Sequence, residues 1–428
     1  MDGERSMLDV LRKSLKESDL PFHDFVELVL YHPEFGYYAK GQSPVGREGD
    51  YVTSPVLSPV FAYSLGNLCR EFMSRSGDGV WQVVDIGCGD GGLIRAVAGG
   101  VGSGEWGVGE RPAVAERVAN AALSPTPHPL ARAVGSGEWG VGEGAAVAQG
   151  VANGASSPTP HPPHPTPQFF GLDRNLGRAI PDPNVTYVTS LDQIPPADAR
   201  LIISNELFDA LPFARLVRRG EQLHELWVTE RDGALDWSEH EADARYEEYF
   251  AERGIRLDDG QFADVSLEWS ALYGDLCRFV QRGLIVTFDY GLPQSKLFRG
   301  RMRRFGTAAA YAKQRVSRDL LINPGEQDLT AHINFDDLRR TGEGQAFATL
   351  FFDIQAKFLL VLGATEHELF TPIGDVTVES ATEGLTLLQD RDDARRLILP
   401  DGIGADIRVL VQGRGMGAKP WRFEAKLF

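Results

Sequence analysis

The stretch Trp81–Val97, WQVVDIGCGDGGLIRAV, constrains the fold more than any other part of this 428-residue chain. An apolar run (Val83, Val84, Ile86) stops at Gly87, Gly89, Gly91 and Gly92, and apolar residues at helical spacing (Leu93, Ile94, Val97) follow at once. That order predicts strand, tight turn, helix, the opening of a nucleotide-type α/β unit. Glycines are needed in such a turn where the backbone takes positive φ or a ligand approaches it closely.

The charges in the loop then choose among cofactors. A dinucleotide pyrophosphate would rest on the helix N-terminus, where Asp85 and Asp90 would repel it. S-adenosylmethionine has no phosphate and carries a sulfonium and an ammonium, so the acids favour the methyl donor. Asp85 is expected at the carboxyl end of the strand, beside the crevice where open α/β sheets bind ligands.

Composition excludes several classes. A net charge of -17 argues against a sequence-independent grip on nucleic acid and suits basic partners. Cys69, Cys88 and Cys277 lie far apart and match neither a disulfide framework nor a zinc pattern. The N-terminus mixes acids and bases without the apolar core of a signal peptide, and no stretch is apolar for long enough to span a bilayer. The expectation is a soluble, cytoplasmic protein with no membrane insertion.

Residues 7 to 30 predict two amphipathic helices broken at Pro21, with Leu8, Leu11 and Leu15 on one face, then Phe22, Phe25, Val26 and Val29. A stretch dense in Gly, Pro and Tyr follows, up to Thr53, Ser54 and Pro55, and its aromatics suggest a lid or site wall. After the glycine loop, VGSGEWGVGE at 101–110 recurs at 134–143, so 101–166 reads as a duplicated, disordered insert with a period of 33 residues. His128, His161 and His164 sit there among prolines without Cys or acidic co-ligands, so no metal site is expected. Removing two repeats from the 88 residues between Asp85 and Asp173 leaves 22, close to the usual gap between a glycine loop and a ribose-binding acid. Phe169–Asp173 is then the second strand. VTYVTSLDQIP, with Asp192, gives a third; Leu201–Pro212 a fourth; Gly283–Gly291 a fifth; and ADIRVLVQGRGM a late addition to the sheet. A cap is expected between the fourth and fifth strands.

Seven segments, HPEFGYYAK, GDYVTSP, DIGCGDGG, SNELFDALP, GTAAAY, PGEQDLTAHINF and IRVLVQGRGM, together resemble the MidA family in its own order. These are methyltransferases that assist assembly of respiratory complex I in mitochondria, with bacterial relatives. The resemblance implies a doubly wound, Rossmann-like class I methyltransferase sheet, S-adenosylmethionine as cofactor and a protein arginine as acceptor. The family usually has Pro at the place of Cys88 and Glu at that of Asp173. The implied organisation is an N-terminal helical and site-wall segment (1–78) and a core (79–300) holding the insert (101–166) and the cap (214–282). A C-terminal segment (301–428) completes the sheet and the acceptor side.

Candidate cofactor residues are Thr53, Ser54, Pro55, Asp85, Gly87, Cys88, Gly89, Gly91, Asp173 and Asp192. Candidate catalytic residues are Glu206, Asp209 and Asn205, just after the fourth strand. There an acid could pair with one side of a guanidinium, which stays protonated in proteins, and leave the other nitrogen more nucleophilic. Asp289 and Tyr290 are further candidates for that pocket. A helix cap or first-turn acid is the bland alternative for each of the three. A small-molecule methyltransferase and a degenerate assembly factor remain open alternatives, and a nicotinamide dehydrogenase is disfavoured by the loop acids. The oligomeric state is left open.

Overall fold

The structure, a computed structural model, describes residues 6–39, 53–103, 167–300, 303–372, 380–417 and 419–424. A mixed sheet is its centre. Its seven main strands are β1 (Trp81–Ile86), β2 (Gln168–Leu172), β3 (Val185–Val188), β4 (Ala199–Asn205), β5 (Gly283–Leu292), β6 (Ala348–Ile354) and β7 (Ile407–Arg414). They lie in the order β6-β7-β5-β4-β1-β2-β3, with only β7 antiparallel to its neighbours, and Ile333–Asn334 adds a short parallel pairing at the end of β5. All six residues of β1 are buried, as expected for an apolar strand covered on both faces.

Successive side chains of a strand point to opposite faces, and the two cores follow that alternation. On one face Val83, Leu201, Val286 and Val411 meet α3 (Pro59–Ser76), α4 (Gly92–Ser103), α8 (Gln355–Val361) and α9 (Ala381–Ile398). On the other, Val84, Ile202, Ile285 and Leu410 meet α6 (Glu268–Phe279) and α7 (Phe335–Gly344) through Trp269, Tyr273 and Leu338. The strand order reverses at β1, between β2 and β4, and a crevice at the strands' carboxyl ends follows from that reversal.

Between β4 and β5 the chain builds a second, antiparallel sheet from Ala214–Arg219, Gln222–Arg231, Ala234–Glu241 and Phe262–Val265. Leu20–Pro21 joins it against Trp227 and Val228. α5 (Ala244–Glu252) packs on it through Tyr246, Tyr249 and Phe250. Two N-terminal helices, α1 (Met7–Leu15) and α2 (Phe22–Tyr31), share a core with its Val228 and with Phe213, just before its first strand. Within the 214–282 span, α6 belongs to the central sheet instead, its Trp269 Nε1 donating to Phe208 O at 2.8 Å.

In α1 the buried pair is Met7 and Leu11, one turn apart, while Leu8 and Leu15 are half-buried. Residues 101–103, read from sequence as the start of the insert, complete the last turn of α4. The rest of that insert, and residues 40–52 of the expected site wall, lie outside the described residues. No helix among the described residues is long and apolar enough to cross a membrane.

Candidate active site

The glycine loop is held by the end of β2. Gly87 N and Cys88 N both donate to Leu172 O, at 2.8 and 3.1 Å. Gly87, Gly89 and Gly91 have φ of 73°, 57° and 77°, the left-handed region that L side chains disfavour. Their surroundings differ. A Cβ on Gly91 would lie 2.1 Å from the Tyr187 hydroxyl and one on Gly87 2.8 Å from Leu207 Cδ1, whereas one on Gly89 would meet nothing within 4 Å. The loop is therefore packed at both ends and open at its centre.

The acids beside it do different things. Asp90 Oδ1 accepts Gly92 N, the first N–H of α4, at 2.8 Å, and so helps hold the start of that helix. Asp173 accepts Gly89 N on one oxygen and Asn175 N on the other, both at 3.0 Å. Asp85 is buried and has no hydrogen bond among the described residues. Burial first, then Asp173 and Asp90, pushes its carboxyl up to about 8. Burial likewise raises the Cys88 thiol, which keeps it neutral. Two more buried polar atoms near these strand ends lack partners among the described residues, Tyr187 OH and Asn205 Oδ1. Unpaired buried polar groups are costly, so this end of the sheet fits a ligand that brings a cation and hydroxyls. Asp192 stands apart, exposed in a single 3-10 turn after β3, without a hydrogen bond to this group.

A second cluster follows β4. No helix begins there, which removes the helix-cap alternative for Asn205, Glu206 and Asp209. Glu206 instead takes a left-handed conformation, φ 51°, its N–H bonded to Phe288 O at 2.9 Å. Such strain in a non-glycine residue persists only where its surroundings enforce it. Its carboxylate accepts from Asn205 Nδ2 at 3.3 Å, and the Ser54 backbone N–H lies near enough to favour its charged form. Ser54 is itself fixed through its buried hydroxyl to Gln355 at 2.9 and 3.1 Å, between buried Thr53 and half-buried Pro55. Burial, reinforced by Asp209, pushes Glu206 up to about 8.

Asp209 and Asp289 are buried in hydrogen-bond contact with each other. Asp289 Oδ2 accepts Phe208 N at 2.8 Å and Leu207 N at 3.2 Å, and its Oδ1 accepts Tyr290 N at 2.8 Å. These backbone donors hold Asp289 nearer ionisation, at about 7 despite its burial. Asp209, with burial and the Asp289 charge against it, is raised further and keeps the shared proton. Asp328 and Tyr38, absent from the sequence-derived candidates, complete the wall: Tyr38 OH donates to Asp328 Oδ1 at 3.0 Å. Tyr38 stacks on Tyr31 with centroids 5.4 Å apart, and Ala331 N donates to Asp209 O. Tyr38 lies in HPEFGYYAK, part of the aromatic stretch expected as a site wall, whereas Asp328 lies in PGEQDLTAHINF, where no periodicity marks it.

Seven strands in this order, the last one reversed, with a glycine loop after the first, define a class I methyltransferase fold. A family model described as "Putative S-adenosyl-L-methionine-dependent methyltransferase" matches residues 173–352, which include Glu206, Asp209, Asp289 and Asp328 but not the glycine loop. The protein arginine methyltransferase NDUFAF7 homolog of Caenorhabditis elegans is 24% identical over 73% of this chain and 66% of its own length. The Drosophila melanogaster homolog is 35% identical over 22% of each chain. The match thus spans no more than about two thirds of either relative. The crystal structure of a superfamily member from Burkholderia thailandensis bound to S-adenosyl-homocysteine superposes with a TM-score of 0.71 at 22% identity, covering 97% of this chain and 94% of that one. These matches support a MidA-like class I methyltransferase family for this chain, whose fold is that of the Burkholderia structure.

Proposed function

We propose that this protein binds S-adenosylmethionine and methylates an arginine side chain of a protein substrate, in the setting of respiratory complex assembly that the family resemblance implies. The observation that carries the acceptor is the cluster of Glu206, Asp209 and Asp289. These three carboxyls meet at the carboxyl ends of β4 and β5, and none has a Lys, Arg or His partner among the described residues; the main charges acting on them are one another and Asp328. A pocket of this kind costs stability until a cation enters it, and a guanidinium offers both the charge and a planar fork of donors.

Bound S-adenosylmethionine supplies an electrophilic methyl group. The residues that would hold it are Asp85, the open loop at Gly89, and Asp173, whose oxygens each keep a lone pair after accepting a backbone N–H. Thr53–Pro55 and Asp192 remain proposals for the same role. Glu206 would localise the guanidinium charge on one nitrogen, and the strained turn and the Asn205 amide fix where its oxygens stand. Arginine entry replaces the neutralising protons of the cluster with a cation, so binding strengthens as pH rises through about 7 to 8. Incubation with labelled methyl donor and host lysate, followed by mass spectrometry of the labelled product, tests the reading. Methylarginine in one protein is the expected result. Label only in small molecules, or tight donor binding without any transfer, would overturn it in favour of a small-molecule enzyme or a binding factor respectively.

A further inference from the structure

Between Asp289 and Asp319 the sequence holds eight Lys or Arg residues and no acid, in a chain of net charge -17. This segment carries a hairpin, Ala309–Ala312 with Arg315–Ser317, whose inner strand pairs with Asp328–Thr330. Tyr311 stands opposite Asp328 in that register, and the next residue but two, Ala331, bonds the backbone of Asp209. The hairpin is therefore the rim of the acidic cluster. Its outer strand is a sheet edge with no further strand on it among the described residues.

The rim is basic and apolar at once. Arg304, Arg315 and Arg318 are exposed, and neither they nor Arg303 pairs with a carboxylate among the described residues; Arg318 reaches only the carbonyls of Gly306 and Ala308. Phe305 is 65% exposed and Val316 62%. Arg303 is depressed by burial and by the like charge of Arg318, a repulsion that an incoming anion would relieve. Exposed apolar residues in a charged frame mark interaction surfaces, and complementary charge sets which partner is admitted.

We propose that this rim docks an acidic stretch with interspersed apolar residues, lying beside the acceptor arginine in the substrate protein. The inference rests on the arginine reading above. The cluster takes the cation and the rim takes the anionic flank, so an arginine within a basic segment is rejected.

The test uses the full chain with saturating S-adenosylhomocysteine and fluorescent peptides that carry one central arginine flanked by Glu and Leu, or by Lys and Leu. Anisotropy should show the Glu-flanked peptide binding roughly tenfold tighter, the difference shrinking at high salt. R304E/R315E should reverse the preference while melting temperature and cofactor affinity stay unchanged, and R304K/R315K should keep it. Equal binding of both peptides, binding of neither, or a preference that survives R304E/R315E overturns the docking surface. A Glu-flanked peptide with citrulline at the centre separates the two readings. If it binds as well as the arginine peptide, the rim stands and the arginine pocket falls.

Discussion

Three residues carry opposite burdens in the site, and substitution separates them. Gly87→Val should abolish S-adenosylmethionine binding, because a β-branched side chain resists φ 73° and meets Leu207. Normal affinity by calorimetry would remove the loop from the site. Glu206→Gln keeps both the shape and the left-handed strain while losing the charge. Cofactor binding and melting should survive and methyl transfer should fall by orders of magnitude, each factor of ten being about 1.4 kcal/mol of transition-state stabilisation; single-turnover transfer beside a melting curve reads both. Asp85 and Glu206 also make stability depend on pH. Their folded values of about 8 exceed the ordinary 3.8 and 4.5, so the folded state holds protons that the unfolded chain releases. Their contribution is full below about pH 4 and is lost as pH rises through about 8. The ligand-free protein should therefore melt at progressively lower temperature from pH 5 to 9, and Asp85→Asn should flatten that slope. A melting temperature that climbs across this range would contradict the burial of both groups as unpaired acids.

At the level of elements, the turn between β1 and α4 works because each of its residues is tied to a different neighbour. Asp90 is the clearest case. Its carboxylate accepts the first N–H of α4 and still acts as a charge on Asp85 and Cys88, so Asp90→Ala should cost about 1 kcal/mol of stability and relax the repulsion of a phosphate-bearing dinucleotide. Calorimetry showing no gain in dinucleotide binding by that variant would remove the repulsive role. β1, β2, β4 and β5 were legible because buried parallel strands are continuous apolar runs ending at glycine or acid. β6 was missed: among the described residues ATLFFDI pairs with β7 alone, and none of its apolar residues is fully buried. α9 was missed because Leu385 and Leu388 are 68% and 50% exposed and blur its periodicity. The acid pairs of the site were half legible. Asp209 and Asp289 stand next to strands that could be read and Tyr38 lies in the aromatic stretch read as a site wall, whereas Asp328 reaches the cluster from a segment beyond β5 that no local pattern marks.

For the whole molecule, the pairing of the central sheet bears on what the 104–166 segment contributes. β1 and β2 are paired in parallel, Asp85 opposite Gly171, and a parallel connection needs only a crossover of a dozen or more residues. α4 alone spans 12 residues, from Gly92 to Ser103, and already packs beneath the sheet through Leu93, Ile94 and Val97. The crossover is thus complete before residue 104, and β2 resumes at Gln168. What lies between is the duplicated stretch rich in Gly, Ala, Ser and Pro, with little aliphatic content. Replacing 104–166 with a linker of about six residues should leave S-adenosylmethionine affinity unchanged and, by shortening the closed loop tenfold, stabilise the fold by about 2 kcal/mol. Thermal melting and calorimetry on the excised protein measure both quantities. A lowered melting temperature would mean that the segment packs against the sheet, and weaker cofactor binding at unchanged melting would mean that it reaches the crevice beside Asp173.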